Sequence, residues 1–199
     1  KINSKDYFFN EAGEMVSKFI EVVETYDPEA LSQGMYYFGG SDDGSMKTGS
    51  QTVKDDNGDS FKFYFGTKNS TTEKKGVGIT GNKNNKLYYM GHLVTAQDYK
   101  YQPVWIDMDG DTNEDELFIV NQNGSIQHSK VEYKEDGDVL INLKAKDADD
   151  NDWAIAFKET NAGLSKYAID VANTADLAKR ITVDPIEART VMPVHPLGP

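Results

Sequence analysis

The stretch MYYFGGSDDGSMKTG, Met35 to Gly49, lines up three aromatics, breaks at an acidic glycine turn, and resumes with a methionine and a Thr-Gly. Side chains alternate across a strand, so Tyr36 and Phe38 share one face while Met35 and Tyr37 share the other. Asp-Asp-Gly is turn chemistry, because glycine accepts a positive φ at no steric cost. The stretch reads as a β-hairpin.

The same plan recurs. DYFFNEAGEMVSKF (Asp6–Phe19) has an aromatic triplet, a polar turn ending in glycine, then a polar residue and methionine. Gly13 and Gly44 are 31 positions apart, as are Met15 and Met46. ELFIVNQNGSIQHSK (Glu116–Lys130) repeats it with Ile126 in the methionine's place, and KLYYMGHLV (Lys86–Val94) is a shorter echo turning at Gly91-His92. FKFYFGTKNS (Phe61–Ser70) is a further aromatic strand that runs into a longer loop. A period near 30 marks an architecture in which each unit buries its apolar face against its neighbours. The expected fold is all-β: an elongated, solenoid-like array of β-hairpin repeats over residues 1–145.

Composition agrees with shallow sheets. The 199 residues include 11 Tyr and only 38% hydrophobic side chains, a balance that suits half-exposed strands better than one deep core. The net charge of −12 repels phosphates, so neither nucleic acid nor anionic lipid is an expected partner. Without cysteine there are no disulfides, thiolate metal sites or cysteine catalysis. No apolar run approaches the roughly 20 residues that span a bilayer, so membrane insertion is not expected. A start at Lys1 rather than Met suits a mature fragment of a larger polypeptide.

Two segments carry competing periodicities. Glu14–Tyr26 fits either helix or strand, and its kinship with the segment after Gly44, which holds Gly49 and β-branched residues, favours strand. In a C-terminal extension over 146–199, the spacing of Leu164, Ala168, Val171, Ala172, Ala175 and Ala178 predicts a helix over 162–181. The tail from Asp184 carries Pro185, Pro193, Pro196 and Pro199, which argues against regular structure and for a linker or a docked extended arm.

The hairpins resemble the cell-wall-binding repeats of secreted bacterial proteins of the choline-binding and glucan-binding type. Tyr36-Tyr37-Phe38, the Ser41–Gly44 turn and Met46-Lys47-Thr48-Gly49 carry the likeness, with Thr48–Val53, Phe63–Thr67, Lys86–Val94 and Ile119–Lys130 as further pieces. The resemblance implies a secreted or cell-surface module, non-catalytic, that attaches a larger protein to wall polysaccharide or glucan. In the choline-binding version a Trp directly after Thr-Gly helps to build a cation–π cage. The matching positions here are Phe19, Ser50 and Lys130, which points away from choline and towards sugar rings stacked on Tyr and Phe. Tyr36, Phe38, Tyr88 and Tyr89 are the candidate contacts. Two alternatives stand beside this: a spacer or adhesive stalk without a small ligand, stiffened by calcium, and a glycoside hydrolase fragment.

Asp107–Phe118, DMDGDTNEDELF, is the candidate metal site. Asp107, Asp109, Asp111 and Asp115 occupy positions 1, 3, 5 and 9 of a loop that Gly110 allows to bend, an arrangement resembling known calcium loops. Calcium takes about six to eight oxygens, which alternate inward carboxylates supply. Lys146–Asp152, KDADDND, lacks the glycine and reads as a plain turn.

Catalytic signatures are missing. His92, His128 and His195 are isolated, and there is no G-x-S-x-G elbow or Walker-type phosphate loop. Gly76–Gly81, GVGITG, echoes a nucleotide loop but precedes a polar turn and a strand, so it reads as a connection. No carboxylate pair stands out for glycoside hydrolysis.

Overall fold

The structure is a computed structural model, and it describes residues 1–10, 12–25, 31–108, 116–128, 132–135, 138–142, 168–169, 171 and 183–188. The described chain is strand-rich, has no helix and forms several small sheets. It divides into two compact units: Lys1–Ile79 with Leu177–Pro199, and Thr80–Asp176. Residues 143–150, around the break expected after 145, and most of the segment expected to be helical lie outside the described residues.

In the first unit, β1 (Phe19–Thr25) lies between β2 (Gly34–Tyr37) and β12 (Val183–Ala188). The β1–β2 pair is antiparallel, with Phe19 opposite Tyr37 and Ile20 opposite Tyr36. The strand alternative for the ambiguous segment is therefore the one adopted from Phe19 onward. The alternation foreseen on β2 holds as well. Ile20, Val22, Tyr36 and Phe38 form one buried cluster, while Met35 and Tyr37 pack on the other face against Phe19, Phe63 and Phe65. The last two belong to β4 (Ser60–Phe65), paired antiparallel with β3 (Gly49–Lys54).

The tail corrects one expectation. Its prolines do not prevent regular structure over Val183–Ala188, which runs parallel to β1 with Pro185 opposite Glu21. β12 is an edge strand, where a residue lacking an N–H is tolerated. The tail is a docked arm here.

In the second unit, β6 (Lys86–Tyr89) pairs antiparallel with both β5 (Gly81–Lys83) and β7 (His92–Leu93). Both connections are two-residue turns with positive φ, at Asn84-Asn85 and Met90-Gly91, the backbone that matches strand twist in a tight hairpin. Gly76–Gly81 leads into β5, as the connection reading expected. β8 (Tyr101–Ile106) pairs with β9 (Glu116–Asn121), and β10 (Glu132–Glu135) with β11 (Asp138–Asn142). Leu87, Val94, Val104, Ile106, Val120, Ile126 and Val171 form the buried core of this unit.

Three turns share one hydrogen-bond scheme. At Asn10–Glu14, Asp55–Asp59 and Asn121–Ser125, the first side-chain oxygen accepts the N–H groups two and four residues on. Its carbonyl accepts the glycine N–H, and its own N–H donates to the carbonyl of the fifth residue. Gly13, Gly58 and Gly124 have φ of 79°, 87° and 73°. Asx side chains close their own turns in this way and glycine completes them.

Turns also meet in a recurring way. In three places the residue two positions after one turn glycine lies over a later turn glycine: Met15 over Gly44, Met46 over Gly76, and Leu93 over Gly124. A Cβ on Gly76 would stand 2.5 Å from the Met46 sulfur, and one on Gly124 would stand 2.6 Å from Leu93 Cδ1. In return, the N–H two places after the covered glycine donates to the preceding hairpin. Met46 donates to the Asp6 carbonyl at 2.8 Å, Gly78 to Met35 at 2.7 Å, and Ile126 to Asn85 at 3.0 Å.

Candidate functional site

The aromatic faces of the hairpins are the first candidate. Tyr36 is 2% exposed and Phe38 is fully buried; their rings stack at 6.0 Å. The Tyr36 hydroxyl accepts the Ser32 N–H at 3.0 Å. Burial pushes the Tyr36 phenol above its ordinary value, so it stays neutral. These two rings form a core and present no open face. On β6, Tyr88 is 8% exposed, whereas Tyr89 is half-buried and packs against the core of the second unit. The structure thus brings Tyr36 and Phe38 together, and it places Tyr88 and Tyr89 side by side in sequence on opposite faces of a strand.

Phe19, at the position where the choline-binding pattern has a Trp, is also buried. It packs between Tyr37 at 4.4 Å and Phe63 at 4.9 Å. Aromatics that retain partial exposure include Tyr7, Tyr64, Tyr89, Tyr99 and Tyr101, with Phe9 more exposed still. Lys100 lies over the Tyr101 ring, 5.5 Å from its centroid.

Of the four candidate ligands in the acidic segment, Asp107 is described and half-buried; Asp109, Asp111 and Asp115 lie outside the described residues. At the loop's base the Met108 N–H donates to Glu116 Oε2 at 3.2 Å. Among the described residues no group of three or more His, Asp or Glu is placed to hold a metal ion.

The turn after β2 contains a cluster that motif reading missed. Lys47 Nζ donates to Asp43 Oδ2 and, at 2.9 Å, to Ser45 Oγ; that hydroxyl donates to Asp43 Oδ1. Lys47 foremost, then Ser45, hold the Asp43 carboxyl far below its ordinary range. The D-x-S-x-K spacing was visible, but only the bend at Gly44 aims all three groups inward. The cluster braces the turn. His92 is mostly enclosed on β7, and burial lowers its imidazole to about 4. His128 is exposed and bonds Asn85 Oδ1 through Nε2 at 2.7 Å.

No family model matches the chain. No curated protein matches it at a significant level.

Proposed function

We propose that this chain is a non-catalytic, all-β array of hairpin repeats that binds cell-wall polysaccharide or glucan as part of a secreted or surface-attached protein. The observation that carries it is the recurrent junction, in which Met15, Met46 and Leu93 each cover a turn glycine 29 to 31 positions on. Units that lean only on their neighbours are what a repeat array requires. The resemblance of the hairpins to wall-binding repeats supplies the ligand class. Within it, half-buried tyrosines such as Tyr89 and Tyr101 are the contact groups, because Tyr36 and Phe38 are consumed by packing. A sugar ring lays an apolar C–H face on such a ring while the phenol hydrogen-bonds its hydroxyls.

A pull-down on insoluble bacterial wall and on insoluble glucan tests this. The intact chain should be retained and should be displaced by soluble polymer, with Tyr101→Ala and Tyr89→Ala weakening retention. Passage through both matrices without retention would reject polymer binding. That result would favour the second reading, a spacer or stalk, which draws support from the burial of Tyr36, Phe38 and Tyr88.

A further inference from the structure

Each junction between hairpins has a receiving half: a turn glycine to be covered, and the N–H two places after it to be accepted. At Gly44, Gly76 and Gly124 both parts are filled. At the first hairpin neither is filled by a described residue. Among the described residues, no atom lies within 4 Å of the place a Cβ on Gly13 would occupy. The Met15 N–H, equivalent to the Met46, Gly78 and Ile126 donors, has no partner among the described residues. Phe9 and Met15 form a bridge whose hydrogen bonds run from Asn10 to Glu14 and from Val16 to Phe8, so the Met15 N–H points away from its own hairpin. Beside it Phe9 exposes apolar surface, at 40%, whereas the Met15 side chain already covers Gly44.

An unpaired edge with exposed apolar side chains is a template for strand addition. We propose that the Phe9–Met15 hairpin is an open junction that accepts one more β-hairpin of the same class, one carrying an apolar residue two places after its turn glycine. The three filled junctions specify that occupant. The incoming side chain closes over Gly13, and the incoming strand accepts the Met15 N–H.

Gly58, whose would-be Cβ is likewise uncovered, is a different case. Two places on stands Ser60, which is polar and pairs with Lys54 inside the β3–β4 ladder. A second copy of this chain makes a poor occupant. Met15, Met46 and Leu93 are already seated on glycines, and Ile126 is buried in a core, so none can be offered without opening a junction. The inference rests on the hairpin-array reading but not on polymer binding.

The test is the full chain extended at its N-terminus by a further copy of residues 1–31, which preserves the Gly13-to-Gly44 spacing. Hydrogen exchange at the original Met15 amide should slow by about tenfold or more relative to the unextended chain. A Met15→Ser change confined to the added copy should abolish that protection, and Met15→Leu there should keep it. Protection at the buried β1 amides, equal in all chains, confirms that the host remains folded. Equal Met15 exchange with and without the added hairpin overturns the proposal. So does Met15 protection in the unextended chain that rises with protein concentration, which would assign the edge to a second copy. Wall retention is read separately, so failure of polymer binding leaves the Met15 result standing, and the reverse.

Discussion

The Phe19 ring lies on the Tyr37 ring across the β1–β2 pair, with centroids 4.4 Å apart and planes at 22°. Phe19 is the hinge of its cluster, since Phe63 and Phe65 from β4 close on the same ring. Replacing it with Ala removes a large buried side chain where three neighbours cannot all collapse inward. Phe19→Ala should cost about 3–5 kcal/mol in denaturant unfolding. A loss under about 1 kcal/mol would show that the cluster is not a cooperative core.

The glycine junctions predict a position-specific sensitivity. Gly76 has φ of 83° and lies beneath Met46. Gly76→Ala should therefore destabilise by roughly 1–3 kcal/mol, from backbone strain and from displacement of Met46. At Gly13, where φ is 79° but nothing lies above, the same change carries the strain alone and should cost less. Thermal unfolding of the two variants side by side measures the difference.

The shared turn makes its own forecast. Asn121 accepts two N–H bonds through one oxygen, as Asn10 and Asp55 do. Asn121→Ala should lower stability by about 1 kcal/mol, whereas Asn121→Asp, which keeps the acceptor, should be close to neutral. Equal effects of the two substitutions would mean that the oxygen is not what holds the turn.

Acid should act through His92. Its imidazole is lowered from 6.5 to about 4 by burial, so the folded state favours the neutral ring. The unfolded chain takes up that proton first as pH falls. The stabilisation is thus full above 6.5, declines between 6.5 and about 4, and levels off below. His92→Gln should flatten that part of the stability curve. Asp43 works in a lower window, because its folded value lies beneath its ordinary 3.8. The effect of Lys47→Met should be visible at neutral pH and shrink as pH falls below 3.8.

Calcium is tested by melting in excess cation against chelator. A cation held only by the folded Asp107–Asp115 loop raises the midpoint by mass action. The expected result is a rise at millimolar calcium that Asp109→Asn abolishes. An unchanged midpoint would remove the site.

Local chemistry determined much of this protein from the sequence alone. The alternation of Met35 to Phe38 set the two faces of β2, and the Asx-to-glycine spacings at Asn10, Asp55 and Asn121 set the turns, because strand pleat and turn closure involve residues only a few places apart. Tertiary structure alone decided what those faces meet. Tyr36 and Phe38 look like open stacking platforms in the chain, but they are sealed because β1 brings Ile20 and Val22 onto them. Pro185 looks like a breaker, but it sits in a strand because β12 returns to an edge of β1, more than 150 residues away in sequence, where no N–H is demanded. The contact between Met46 and Gly76 needed both: turn glycines that the sequence displays, and an approach that exists only in the folded chain.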